Sequence, residues 1–262
     1  MVQNPWSGRQ IGLNADWFTQ DDRQRFAAWN ASAKPDKQVL LQTSAGPAIP
    51  SAWAGDPWNA SVIILLKNPA FGPNSNLQNG PLNDSLTRRY MEEMAVGKFD
   101  PAFPNAGLRP NFQPLRGRKP TRGKALAAWN AAGGREQCNW HAGIVWKDIH
   151  KELVGMGMAP QEAWKRISQR GCTLDLSPWG SASWTPSCMS SVSYDVCVPL
   201  AREAHRQGKV VIVAWGADLW QVAGFYQAGN LESSAMKGVR HTPRINKNNF
   251  PKTWSAVMQA MV

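Results

Sequence analysis

Apolar positions along the chain fall into short runs that switch between two periods. Val62-Ile63-Ile64-Leu65-Leu66 is unbroken, too short and too β-branched for a helix, and predicts a strand buried on both faces. It stops at Lys67-Asn68-Pro69, where proline ends ladder pairing and leaves a polar amide at the strand's carboxyl end. The same grammar returns in Thr173-Leu174-Asp175-Leu176-Ser177-Pro178-Trp179, and a third buried strand is predicted over Lys209 to Trp215, ended by Gly216. Met236 to Arg240 is predicted as a fourth strand, leading into His241. Val39-Leu40-Leu41 is a further short strand candidate.

Helical spacing marks the stretches between. Trp17, Phe18, Phe26 and Trp29 predict a helix within Asp16 to Ala33. Further helices are predicted over Leu86 to Ala95, Trp140 to Val154, Pro160 to Ser168, Tyr194 to Gln207 (capped by Gly208), Ala217 to Tyr226 and Pro251 to Met258. Gly46 to Trp58 and Phe71 to Asp84 are rich in Gly, Pro or Asn and predict loops. Strands separated by helices predict an α/β fold: a three-layer α/β/α domain with a central four-stranded parallel sheet. One domain over 1–262 is expected, with an N-terminal extension over 1–50 and a basic insertion over 97–135. Asn68, Asp175 and His241 each end or follow a predicted strand, so a parallel sheet would bring them to one edge, where ligands of open α/β sheets bind.

Charge narrows the partner. Lys and Arg number 29 against 18 Asp and Glu, a formal charge of +11, which favours a polyanion because each cation set on a phosphate releases counterions. The insertion contributes Arg109, Arg116, Arg118, Lys119, Arg122 and Lys124, interleaved with Pro, Gly and Phe112, as a phosphate-tracking or solvated loop. Fourteen tryptophans against three tyrosines is unusual. Trp17, Trp29, Trp129, Trp164 and Trp254 fit helical core patterns, whereas Trp53, Trp58, Trp179 and Trp184 sit among Gly, Pro and Ser, where they pack loops or stack on bases.

The four cysteines form no Cys-x-x-Cys pair and have no histidine ladder beside them, so neither zinc nor an iron–sulfur cluster is indicated, and no cofactor is expected. Reduced thiols, the lack of a charged-then-apolar leader and the lack of an apolar run approaching 18 residues lead to the expectation of a cytoplasmic protein, in the prokaryotic cytosol or nucleoid, with no membrane partner. A monomer is expected.

Lys67-Asn68-Pro69-Ala70-Phe71-Gly72 resembles the Gly-x-Asn-Pro-Gly loop of the uracil-DNA glycosylase superfamily. His241-Thr242-Pro243-Arg244-Ile245-Asn246 resembles its His-Pro-Ser-Pro-Arg-Asn motif, closest to the single-strand-selective monofunctional branch, and Asp175-Leu176-Ser177-Pro178 is similar to that branch's Asn-His-Cys-Pro segment. Order, strand context and spacing agree across residues 61–257. There are departures. Lys67 stands where the family has a small residue, Ala70 replaces a Gly, Thr242 takes the place of Pro-Ser, and Asp175 occupies the place of the base-reading Asn. Leu82 stands at the position of the pocket phenylalanine, with Phe71 as an alternative stacking face.

The resemblance implies a monofunctional DNA glycosylase acting on double- or single-stranded DNA. Asn68 would orient the attacking water, and His241 would donate a hydrogen bond to the pyrimidine O2 as negative charge develops there. Arg244, with Asn246 and Lys247 beside it, would enter the duplex or its minor groove. Arg118 and Lys119 would contact phosphates, as would Lys67, whose amine is also able in principle to form a Schiff base with a sugar. An Asn offers uracil an acceptor and a donor, whereas a carboxylate offers acceptors only, which suit cytosine N4; pairing to N3 then needs a proton on the base or on Asp175. A cytosine marked at C5, hydroxymethylated or glucosylated as in some phage DNA, is therefore the expected substrate, with uracil or a 5-substituted uracil as the alternative. An alignment slipped by two residues would put Ser177 at the base edge instead. A non-catalytic nucleic-acid-binding module of the same fold is the competing class, and a nucleotide- or sugar-phosphate-transforming enzyme a third, weakened by the absence of a phosphate-cradling glycine loop.

Overall fold

The computed structural model describes residues 2–7, 17–39, 41–43, 46–47, 50, 52–67, 145–179, 184, 186–223, 225 and 244–262. The apolar runs form the sheet. Strands β3 (Trp53–Ala54), β4 (Val62–Leu66), β5 (Gly171–Asp175) and β6 (Val210–Val213) lie in the spatial order β3-β5-β4-β6, and a separate small hairpin joins β1 (Gln42–Thr43) to β2 (Gly46–Pro47). β4 runs parallel to both β5 and β6, with Leu66 opposite Asp175 and Leu65 opposite Val213.

The fourth described strand differs from the expectation of an all-parallel sheet. Residues 236–240 lie outside the described residues, and β3 instead closes one edge antiparallel to β5, which makes the described sheet mixed. Only residues 55–61 separate β3 from β4, and a connection that short cannot carry a parallel crossover. Gly55 turns the chain there at φ 91°.

Helices α1 (Gln20–Ser32), α2 (Lys147–Gly155), α3 (Pro160–Arg170), α4 (Val198–Arg206), α5 (Ala217–Val222) and α6 (Trp254–Met261) surround the sheet. Strand alternation separates two cores. Ile63, Leu65, Cys172, Leu174, Val211 and Val213 pack with Phe26 of α1 and with Leu200, Ala201 and Ala204 of α4. Val62, Ile64, Leu66 and Ile212 pack on the opposite face with Ile149 and Leu153 of α2, Ala163 and Ile167 of α3, and Val257 of α6. Among the described residues, the helices between β4 and β5 pack on one face of the sheet and the α-helix between β5 and β6 on the other, as crossovers of one hand require.

Local signals account for the helix ends. The Thr19 hydroxyl accepts the Asp22 N–H at 3.1 Å, and Asp21 and Asp22 complement the positive end of α1. Trp17 and Phe18, expected inside this helix, precede it and are buried in the core. Ahead of α4 the helix widens over Ser193–Cys197, where the Val198 N–H reaches back five residues to the Ser193 carbonyl. Pro199, which has no N–H to give, follows directly. Gly208 ends this helical stretch at φ 73° and releases the chain into β6.

Tryptophan burial revises one sequence expectation. Trp53 and Trp179, read as loop or stacking residues, are core: Trp179 stacks on Phe18 with centroids 3.8 Å apart, and Trp53 packs on Trp6 and Trp58. Trp58 is half-buried, its indole donating to the Val2 carbonyl at 3.0 Å. Trp184 remains half-buried. A Cβ at residue 55 would meet both the left-handed backbone and the Gly171 carbonyl, so Gly55→Ala should lower stability by about 2 kcal/mol or more, read as a fall in the urea midpoint.

Candidate functional site at the carboxyl ends of the strands

The sheet changes direction of travel between β4 and β6, and in such folds the crevice outside the carboxyl ends of the strands receives the ligand. Main-chain bonds fix that edge. The Leu66 carbonyl accepts the Leu176 N–H at 3.0 Å and the indole N–H of Trp220 on α5 at 2.8 Å. One residue on, the Lys67 carbonyl accepts the Ser177 N–H at 3.0 Å. The Asp175 N–H is held from the other side by the Ala52 carbonyl at 2.7 Å, and the Ala214 and Trp215 N–H groups both reach the Leu65 carbonyl. The chain leaving β4 is therefore set beside the chain leaving β5 without dependence on loop conformation.

Three predicted site residues meet here. Asp175 ends β5 opposite Leu66 and is 2% exposed. Burial pushes the Cys197 thiol well above its usual range, and the nearby charge of Asp175 adds to that, so this thiol stays protonated. Ser177 is fully buried; its hydroxyl donates to the Cys188 carbonyl and receives the Trp179 N–H at 3.3 Å. That hydroxyl organises the loop after β5. Lys67 is half-buried, with its ammonium 5.2 Å from the centre of the Trp215 ring and 5.7 Å from that of Trp184, both within cation–π range. Burial lowers the pKa of this amine and Lys37 lowers it further, while Asp218 and Cys188 oppose the shift. Lys37 itself donates to the Trp184 carbonyl at 3.2 Å.

A second group forms around α2. The Arg244 guanidinium makes a two-pronged contact with the carboxylate of Asp148, at 2.5 and 2.8 Å, and Asn246 donates to the same carboxylate at 3.0 Å. Asn246 also accepts the N–H groups of Asn248 and Asn249, which closes the turn before α6, and Lys247 on that turn is exposed. Arg244 and Asn246, expected to enter DNA, here tie the chain ahead of α6 to the first turn of α2. No signal in the sequence joins residues 96 positions apart, so Asp148 was not legible as the partner. Trp215 was read only as the end of a strand, and the sole hint of its role was the high tryptophan count.

Asn68, Phe71, Leu82, Arg118, Lys119 and His241 lie outside the described residues. Among the described residues no group of three His, Cys, Asp or Glu is placed to hold a metal ion, and no helix is long and apolar enough to cross a membrane. No family model, curated protein or solved structure matches the chain.

The Arg244 hydrogen bonds hold the Asp148 carboxyl below its ordinary range, so the pair stabilises the fold above the unfolded-chain pKa of about 3.9 and is lost as pH falls through the lower folded value. Asp148→Asn should therefore cost about 0.5 to 1 kcal/mol at pH 7 and progressively less below about pH 4. Denaturant unfolding of both proteins across that range, at low and high salt, measures it.

Proposed function

We propose that this chain is a DNA glycosylase that flips out a modified pyrimidine and hydrolyses its N-glycosidic bond to leave an abasic site. Its substrate is a cytosine substituted at C5, hydroxymethylated or glucosylated, as carried by some phage genomes, and the role is antiviral. The fold is accordingly the three-layer glycosylase-like arrangement, acting on DNA as a monomer in the prokaryotic cytosol or nucleoid.

One observation carries the reading: β4 and β5 are adjacent and parallel with Leu66 opposite Asp175, so the chain running into Asn68 departs from beside a buried carboxylate. The pairing, in this reading, lets a water-orienting amide and a base-reading acid, from segments more than a hundred residues apart in sequence, serve one site. In this reading Asn68 orients the water by hydrogen bonding, since an amide is a poor base. His241 stabilises the negative charge that builds at O2 as the base departs. One oxygen of Asp175 accepts from the cytosine N4 amine, and a proton shared between N3 and the other oxygen completes the pair. The structural use of the Ser177 hydroxyl favours this alignment over the slipped one, which would need that hydroxyl at the base edge. Arg244 acts as an anchor for the segment that follows His241, and exposed Lys247 beside it is free to meet phosphate.

Purified protein incubated with oligonucleotides, each carrying one modified pyrimidine, should yield alkali-labile breaks at 5-substituted cytosine. Asn68→Ala and His241→Ala should each lower that yield about 100-fold or more while DNA binding persists. Asp175→Asn should move preference toward uracil-type bases. DNA binding without base release from any substrate would leave a non-catalytic module of the same fold.

A further inference from the structure

We infer that the amine of Lys67 is a nucleophile toward the open-chain aldehyde of an abasic deoxyribose, which adds a DNA lyase activity to this site. The geometry comes first. Lys67 follows β4 at the carboxyl edge, at the point where the sheet changes direction, and its main chain is fixed by the bond from the Ser177 N–H to its carbonyl. The stem lies beside Gly216, where the left-handed backbone carries no side chain to crowd it. The amine then lies over two indole rings, those of Trp184 and Trp215, at 5.7 and 5.2 Å from their centres.

A lysine attacks a carbonyl when it is withdrawn from water or faces another cation, and this one meets both conditions. It is half-buried, and Lys37, anchored to the Trp184 carbonyl, contributes a like charge. Asp218 and Cys188 act in the opposite sense, as do the indole faces, which attract the charged form. Burial outweighs them, so the free amine is more populated than in an exposed lysine. Among the described residues no carboxylate stands within ion-pair distance to hold it charged.

The steps balance without an oxidant or reductant. The Nζ lone pair bonds to C1′, the C1′–O π electrons move to oxygen, and after proton transfers from nitrogen to oxygen the adduct loses water to give a C1′=Nζ imine. The imine acidifies C2′: one C2′ proton passes to solvent, the C3′–O bond breaks, and the 3′ phosphate departs with its electron pair. Hydrolysis returns the amine and an unsaturated aldehyde. This activity goes beyond base release and departs from the monofunctional chemistry that the sequence resemblance implies. It needs only an abasic sugar, whatever its source.

The test uses the whole chain and duplex DNA with a preformed abasic site, mixed with sodium borohydride to reduce any imine to a stable amine, then resolved on a denaturing gel. Wild-type protein should give a covalent protein–DNA band, and peptide mapping should find the adduct on Lys67. Lys67→Arg, which keeps the charge but forms no stable imine, should lose at least nine-tenths of that band. No band with wild type, an undiminished band with Lys67→Arg, or an adduct mapped to another residue overturns the inference. A parallel arm with an intact modified-cytosine duplex separates the two proposals. Base release without trapping on abasic DNA removes the lyase and leaves the glycosylase, and trapping without base release does the reverse.

Discussion

The carbonyl of Leu66 is the point on which the arrangement at the sheet's carboxyl edge depends. It closes the ladder to the chain leaving β5 through Leu176 and receives the indole N–H of Trp220 from the helix after β6. One acceptor with two lone pairs thus ties three successive crossings of the sheet at their carboxyl ends, and the burial of Trp220 keeps water from competing for it. The strand behind it, Val62–Leu66, is buried along its whole length, with one core on each face. A slip of one residue would exchange those faces and put each side chain of β4 into the wrong core. Register and edge are therefore specified together, which is what a site assembled from distant segments requires.

On this edge the side chains divide by what they are bonded to. Ser177 and Trp220 spend their polar atoms on main-chain groups and hold loops. Lys67 has two rings within cation–π range and, among the described residues, no carboxylate at ion-pair distance, an arrangement that keeps an amine in place while limiting its hydration. Arg244 and Asp148 offer the contrast: both lie partly exposed, pair in two-pronged geometry and act as a clasp between the start of α2 and the chain ahead of α6. The two cations thus meet very different surroundings.

Much of the frame was legible in the sequence because burial on both faces leaves a simple mark. The run Val62–Leu66 coincides with β4, and Lys209 to Trp215 contains β6. Pro160 marks the start of α3, and Gly208 marks the change from helix to β6. Trp53–Ala54 was missed because two residues within a Pro- and Gly-rich stretch carry no period, and its pairing with β5 is a tertiary fact. Trp179 was misread for a related reason: its loop composition suggested exposure, whereas Phe18 and Phe26, far away in sequence, bury it. The clasp on Asp148 and the two indoles at Lys67 were illegible on the same ground, since pairings between segments leave no trace in local composition. Of the candidate site, the convergence of the segments after β4 and β5 followed from strand order, while the environment of each side chain did not.

The central claim is that the crevice beside Asp175 extrudes a 5-substituted cytosine and cuts it from its sugar. Mass spectrometry of the small molecules released when the purified chain is added to DNA containing hydroxymethylated or glucosylated cytosine tests this most directly. The account predicts the intact modified base, free of sugar and phosphate, accumulating with time, and much reduced when Asn68 is replaced by Ala. Release of nucleotides or nucleosides instead, or of no base from any modified DNA, would contradict it.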